Sequence, residues 1–177
     1  FITALYHANG VSLPVNYHLV SKPEIYLDLK TGKHKRRATQ TKNQVYQQLL
    51  RQVVVNQIPF RYVVNDVWYA SADNMRFVKH DLQRDFVMPL KTNRKVALNK
   101  DAQKQGHYVR VDKLGLEAGT TLTVYLEGID FPLQLVKEVF TNEDGSVGIL
   151  YLVTSDLELT YDTITTIYDK RWNVEPY

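Results

Sequence analysis

The sequence predicts an α/β fold: a mixed αβ core interrupted by a long β-rich stretch. Three observations predict it. Helical spacing of apolar residues occurs from Thr41 to about Asn56 and again from Leu159 to Tyr177. Between them, a short apolar strand at Phe60–Asn65 leads through a helix to a second apolar strand at Asp85–Leu90, the order expected of an α/β sheet. From Lys95 to Thr154 helical period disappears and strands alone recur. The chain divides accordingly into a first core part, 1–94, an insertion, 95–154, and a last core part, 155–177.

Composition narrows the chemistry. The 177 residues suffice for one domain with a sizeable core and an insertion. At 44% hydrophobic and 23% charged the balance is ordinary for a globular protein. Twelve tyrosines suit β-structure or a stacking surface. Cysteine is absent, which excludes disulfides and thiolate metal sites, so any metal must be held by oxygen or imidazole. No apolar run is long enough to span a bilayer and no signal peptide is visible. The net charge is only +3, so a case for nucleic acid rests on where the charge sits. The chain starts without Met inside an apolar run and stops inside a helix, which suggests a piece of a longer protein.

In order, Phe1–His7 and Val11–Val20 read as two strands joined at Asn9-Gly10, a strong hairpin signal. Val11, Leu13, Val15, Tyr17 and Leu19 alternate, which predicts one buried face, and Pro14 hints at an edge or a bulge. Ser21–Thr41 reads as a loop with a dense basic run, Lys33-His34-Lys35-Arg36-Arg37. A solvated loop and a phosphate-contacting arm are about equally good readings of it. Thr41-x-x-Gln44 is a capping box, and Val45, Leu49 and Val53 share the face of the helix that follows.

Asp66 ends the strand Phe60–Asn65. Carboxylates at the C-terminal ends of such strands are where α/β sheets place their sites, although a capping Asp is common there too. Ser71 caps a helix to about His80, and Asp85–Leu90 leads into a basic turn, Lys91-Thr92-Asn93-Arg94. In the β-rich stretch the strands are Tyr108–Val111, Thr120–Leu126, Leu133–Phe140 and Val147–Val153, with a hairpin turn at Glu143-Asp144-Gly145. In the last helix, capped by Thr160, Ile164, Tyr168, Arg171 and Glu175 share a face with Trp172 beside them. An arginine and a carboxylate on a core-facing stripe need partners, a metal or a job. The plain alternative is an i,i+4 ion pair worth a few tenths of a kcal/mol.

Two strings now carry a resemblance. Tyr168-x-x-Arg171-x-x-x-Glu175 resembles the signature helix of the DDE transposases of bacterial insertion sequences, and Asp66-x-Trp68-Tyr69-x-Ser71-x-x-Asn74 resembles their second aspartate motif. The order of elements agrees along nearly the whole chain. The resemblance implies an RNase H-like catalytic core interrupted by a β-strand insertion. It implies that Asp66 and Glu175 are catalytic carboxylates holding two Mg²⁺ or Mn²⁺ ions with a further aspartate. It also implies that double-stranded DNA is cut and its 3′-end joined to a target. Lys35, Arg36, Arg37, Lys91, Asn93, Arg94, Tyr168, Arg171 and Trp172 become DNA-contacting candidates, with Trp68 a candidate for stacking. A homodimer on paired ends and a cytoplasmic, nucleoid-associated setting follow from the same likeness. There are two departures. The first aspartate of the triad is expected upstream of Phe1, and Pro176 follows the glutamate directly. Without that first aspartate, the 177-residue chain is expected to be inactive alone. The alternatives are another RNase H-like nuclease and a non-enzymatic DNA-binding remnant.

Overall fold

The computed structural model describes residues 1–174, and they fall into two compact units, Phe1–Pro59 and a second that begins at Phe60. In the first unit, β1 (Ile2–Ala8) and β2 (Val11–His18) form an antiparallel hairpin. Its turn has Asn9 at φ 52° and Gly10 at φ 78°, the two left-handed positions that a tight hairpin requires and that Asn-Gly supplies. The expected buried face of β2 is not observed: Val11, Leu13, Tyr17 and Leu19 are exposed. The half-buried residues are Ser12, Val15, Asn16 and His18, so the alternating apolar set faces solvent both before and after a bulge at Val15, where Leu5 pairs with Pro14 but Ala4 pairs with Asn16.

The stretch read as a loop, Ser21–Thr41, holds a second hairpin instead, β3 (Glu24–Asp28) and β4 (Lys33–Arg37). Charge hid it, because Lys33–Arg37 has no apolar alternation of its own. The pairing is supported across the strands: Arg37 Nε donates to Glu24 at 2.7 Å, and Lys35 Nζ to Asp28. Helix α1 (Lys42–Val55) begins with the expected capping box and buries Val45, Tyr46, Leu49 and Val53. It lies against the first hairpin, where Asn16 Nδ2 donates to the Leu49 carbonyl at 3.3 Å.

The second unit is a seven-stranded mixed sheet. Its strands are β5 (Tyr62–Val64), β6 (Asp85–Leu90), β7 (Lys95–Ala97), β8 (Val109–Arg110), β9 (Thr121–Leu126), β10 (Leu133–Thr141) and β11 (Val147–Thr154), in the order β5-β6-β11-β10-β9-β7-β8. β5 and β6 are parallel and the other neighbours antiparallel. The β-rich stretch therefore continues the same sheet that carries Asp66. It holds one short helix, α3 (Lys100–Lys104), in addition to its strands, and Asn99 caps it.

Parallel strands need a crossover, and α2 (Ala72–Arg76) with a π turn at Phe77–Asp81 provides it. α4 (Tyr161–Asp169) packs on the sheet through Ile164 and Tyr168 against Val87, Val136 and Leu152. Burying two such side chains stabilises this packing by roughly 2 kcal/mol each. After Asp169 the α-helix expected to run to Tyr177 tightens into a 3₁₀ segment, Lys170–Val174. Among the described residues no helix is long and apolar enough to cross a membrane.

The edge strand β5 is held at its N-terminal end. Tyr62 Oη and Arg61 Nη2 both donate to Asp156 Oδ2, at 2.8 and 3.0 Å. Burial, helped by that bond, pushes the Tyr62 hydroxyl up to about 12. Beside it, Lys79 Nζ and Ser155 Oγ both reach Asp85 Oδ1 at 2.7 Å. These bonds staple the start of β5 and β6 to the β11–α4 connection, so the other end of β5 projects from a fixed base.

Candidate metal centre at the end of strand β5

β5 is followed by Asn65, buried, whose Nδ2 donates to the Asp66 carbonyl at 2.8 Å. Asp66 is extended (φ −70°, ψ 160°) and precedes a 3₁₀ turn, Val67–Tyr69. The Tyr69 amide donates to the Asp66 carbonyl at 3.0 Å. Ser71 Oγ caps α2 by accepting from the Asn74 amide at 3.2 Å, and the fully buried Asn74 donates through Nδ2 to the Tyr69 carbonyl at 2.9 Å. The polar residues of this string thus shape the turn with local bonds. Asp66 is the exception. Its carboxylate makes no capping bond and remains 49% exposed, so the common capping role is not the one it plays.

What faces Asp66 comes from the far end of the chain. Thr160 Oγ1 caps α4 by accepting from the Thr163 amide at 3.3 Å, which fixes where the helix starts. The 3₁₀ segment then repeats every three residues, so Tyr168 and Arg171 fall in line. Arg171 Nη1 lies 3.9 Å from Asp66 Oδ2, although about 105 positions separate the two residues. That distance is an ion pair without a hydrogen bond, and it leaves the carboxylate lone pairs open. The Arg171 side chain is only 17% exposed, and its guanidinium sits over the Trp172 ring at 4.0 Å and the Tyr168 ring at 5.5 Å. Burial raises the Tyr168 hydroxyl; the Arg171 charge opposes that shift and the Asp66 charge adds to it.

The other sequence candidates separate into kinds. Tyr168 is 5% exposed and belongs to the α4 core, which leaves no ring face for a base. Trp68 and Trp172 are exposed, and Lys91 Nζ lies over the Trp68 ring at 5.4 Å. The basic turn is closed by the Arg94 amide donating to the Lys91 carbonyl at 3.0 Å, with Asn93 exposed. Arg94 turns inward, Nη1 reaching the Ala70 carbonyl at 3.4 Å, and burial lowers its pKa. Lys35, Arg36 and Arg37 stand on the β3–β4 hairpin in the first unit. Glu175 and Pro176 lie outside the described residues. The bonds of Tyr62 and Arg61 to Asp156 escaped the sequence reading, because residues 94 and 95 positions apart leave no local pattern.

The donor chemistry of Asp66 fits a hard divalent cation, which takes carboxylate and water oxygens. No group of three or more His, Asp or Glu converges among the described residues.

The α/β sheet thus offers a half-exposed carboxylate at a strand's C-terminal end, faced by a guanidinium. Residues 1–115 match a family described as DDE superfamily endonuclease, and the chain belongs to that family. The family is one of nucleases that act on DNA and use divalent metal ions. The match takes in Asp66 and the Lys91–Arg94 turn, and ends before the Arg171 helix. No curated protein matches the chain.

Proposed function

We propose that the chain belongs to a transposase that cuts the ends of a mobile element and joins them to new DNA. The observation that carries this reading is the approach of Arg171 to Asp66, since it links the two strings that the sequence set far apart. In this reading 95–154 is an insertion into a core made of 1–94 and 155–177. Asp66 and Glu175 are two of the carboxylates that hold a pair of Mg²⁺ or Mn²⁺ ions, and a third aspartate comes from a strand before Phe1. When bound, such a pair supplies activation of the attacking oxygen and neutralisation at the leaving one.

The chain's own residues do the rest. Arg171, braced on Trp172, aims the Asp66 carboxylate and then stands ready for a backbone phosphate. Lys91 and Asn93 present a second phosphate contact from the turn after β6, which the inward-turned Arg94, the third DNA-contacting candidate of the turn, holds in place. The exposed Trp68 and Trp172 rings offer stacking surfaces to an unpaired base. Two copies acting on paired DNA ends complete the reading.

The test is a cleavage assay on labelled end DNA in Mg²⁺. It compares the 177-residue chain, a version extended upstream through the third aspartate, and Asp66→Asn and Glu175→Gln in the longer version. The extended protein is expected to nick the ends, both variants to bind DNA without cutting, and the shorter chain not to cut. Metal-dependent cutting by the shorter chain would overturn the three-carboxylate argument. Full activity of the Glu175→Gln variant would overturn the role given to the last helix.

A further inference from the structure

The β3–β4 hairpin is a two-stranded ribbon with every side chain exposed except the half-buried Asp28. An isolated ribbon of this kind is marginal in water, because neither face buries apolar surface. Its two faces differ in chemistry. The register places Glu24 opposite Arg37, Tyr26 opposite Lys35 and Asp28 opposite Lys33, all on one face. Two of its three cations are paired within it: Arg37 with Glu24, lying over the Tyr26 ring, and Lys35 with Asp28. The Lys35 ammonium, hydrogen-bonded to Asp28, holds that carboxyl below its usual range.

The other face carries Ile25 opposite Arg36 and Leu27 opposite His34. It has no carboxylate. Ile25 is 61% exposed, and Arg36 makes no ion pair among the described residues. The tip is ordered by Asp28, whose carbonyl accepts from the Gly32 amide at 2.8 Å and whose Oδ1 accepts from the Lys30 amide at 2.9 Å. Across residues 22–37 six lysines and arginines stand against two carboxylates, so the occupant this surface complements is an anion.

We propose that this ribbon enters the major groove of duplex DNA with the Ile25, Leu27, His34 and Arg36 face toward the base edges. The proposal rests on the DNA-acting reading above and goes beyond phosphate contact. The major groove is wide enough for a two-stranded ribbon. Its floor offers guanine O6 and N7 to an arginine fork and thymine methyl groups to apolar side chains. The face holds one arginine and two aliphatic side chains, which match those groups. The opposite face, where two of three cations are paired with its own acids, stays toward solvent and the phosphate walls.

The experiment measures binding by fluorescence anisotropy on a random-sequence duplex pool, made with guanine or with 7-deazaguanine, which lacks N7. The wild-type chain is expected to bind the deaza pool about three- to tenfold more weakly, in line with the discrimination a bidentate arginine gives. Arg36→Ala is expected to bind both pools alike, and Lys35→Ala to keep the difference. Circular dichroism of each variant confirms that the ribbon change leaves the fold intact. Equal wild-type binding to the two pools overturns the ribbon's role and leaves the DNA-acting reading standing. Failure to bind either pool overturns both. A chain whose DNA binding is indifferent to Arg36→Ala, but whose self-association is lost, would make the ribbon a contact between two copies and overturn the proposal.

Discussion

Two basic runs, Lys33–Arg37 and Lys91–Arg94, look alike in the sequence and are built differently. The first lies on a ribbon exposed on both faces, where two of its cations pair with acids of the adjacent strand. The second is a turn at the end of a buried strand, where Arg94 is drawn inward to the Ala70 carbonyl and Lys91 covers the Trp68 ring. The difference teaches that the worth of a charge follows from what surrounds it. A surface pair exchanges its partner for a phosphate at little cost, whereas a half-buried guanidinium is part of the fold before it is anything else.

The largest expected effect lies on the ribbon. Neutralising Lys35, Arg36 and Arg37 together is expected to weaken duplex binding by about a hundredfold at low salt. It should lower the slope of log affinity against log salt by up to about 1.8, since Lys35 and Arg37 face the phosphate walls and each phosphate contact releases roughly 0.9 counterion. Thermal stability should stay within error. A salt slope that does not move would return the ribbon to a solvated surface and erase the contrast.

How far these features were legible follows from where their partners are. The Asn9-Gly10 turn, the Thr41 capping box and the Thr160 and Ser71 caps are local, and the sequence states them. Asp85–Leu90 is a continuous apolar run and its boundaries are as read. The β3–β4 ribbon was not legible, because its support is ionic and cross-strand rather than apolar and periodic. Alternation in β2 marks two faces but not which one is covered, and the covered one carries Ser12, Asn16 and His18. At the site, Asp66 stood out by type and place, and Arg171 by its presence on an apolar stripe. Their meeting depends on six strands of the sheet folded between them in the chain. The burial of Tyr168 was implicit in its spacing from Ile164, yet the resemblance drew attention to DNA instead.

The next effect sharpens the second run. Arg94→Ala is expected to cost about 2 kcal/mol, through the lost bond to Ala70 and the lost packing of the side-chain stem. Urea denaturation measures this, and the salt slope of binding should fall by less than one contact. A variant of wild-type stability with a strongly reduced slope would make Arg94 a free phosphate contact, no different from the ribbon cations.

The smallest effect tests the rule on a neutral donor. Tyr62 and Arg61 share Asp156 Oδ2, a part-buried counterpart of the surface pairs on the ribbon. Tyr62 is raised from 10.0 to about 12, first by burial and next by its bond to Asp156. A group whose pKa is higher in the folded state binds its proton more tightly there. Its contribution is fully present below pH 10, where both states are protonated, and it is lost as pH rises toward about 12. Partial solvent screening holds the contribution to about 1 kcal/mol. Wild type should therefore lose stability between pH 10 and about 12 beyond what Tyr62→Phe loses, and the two should converge at the upper end. Urea midpoints measured from pH 8 upward decide it. Parallel curves would mean that the hydroxyl is solvated and that Arg61 alone staples β5. In that case Arg61→Ala, and not Tyr62→Phe, should loosen the strand that carries Asp66.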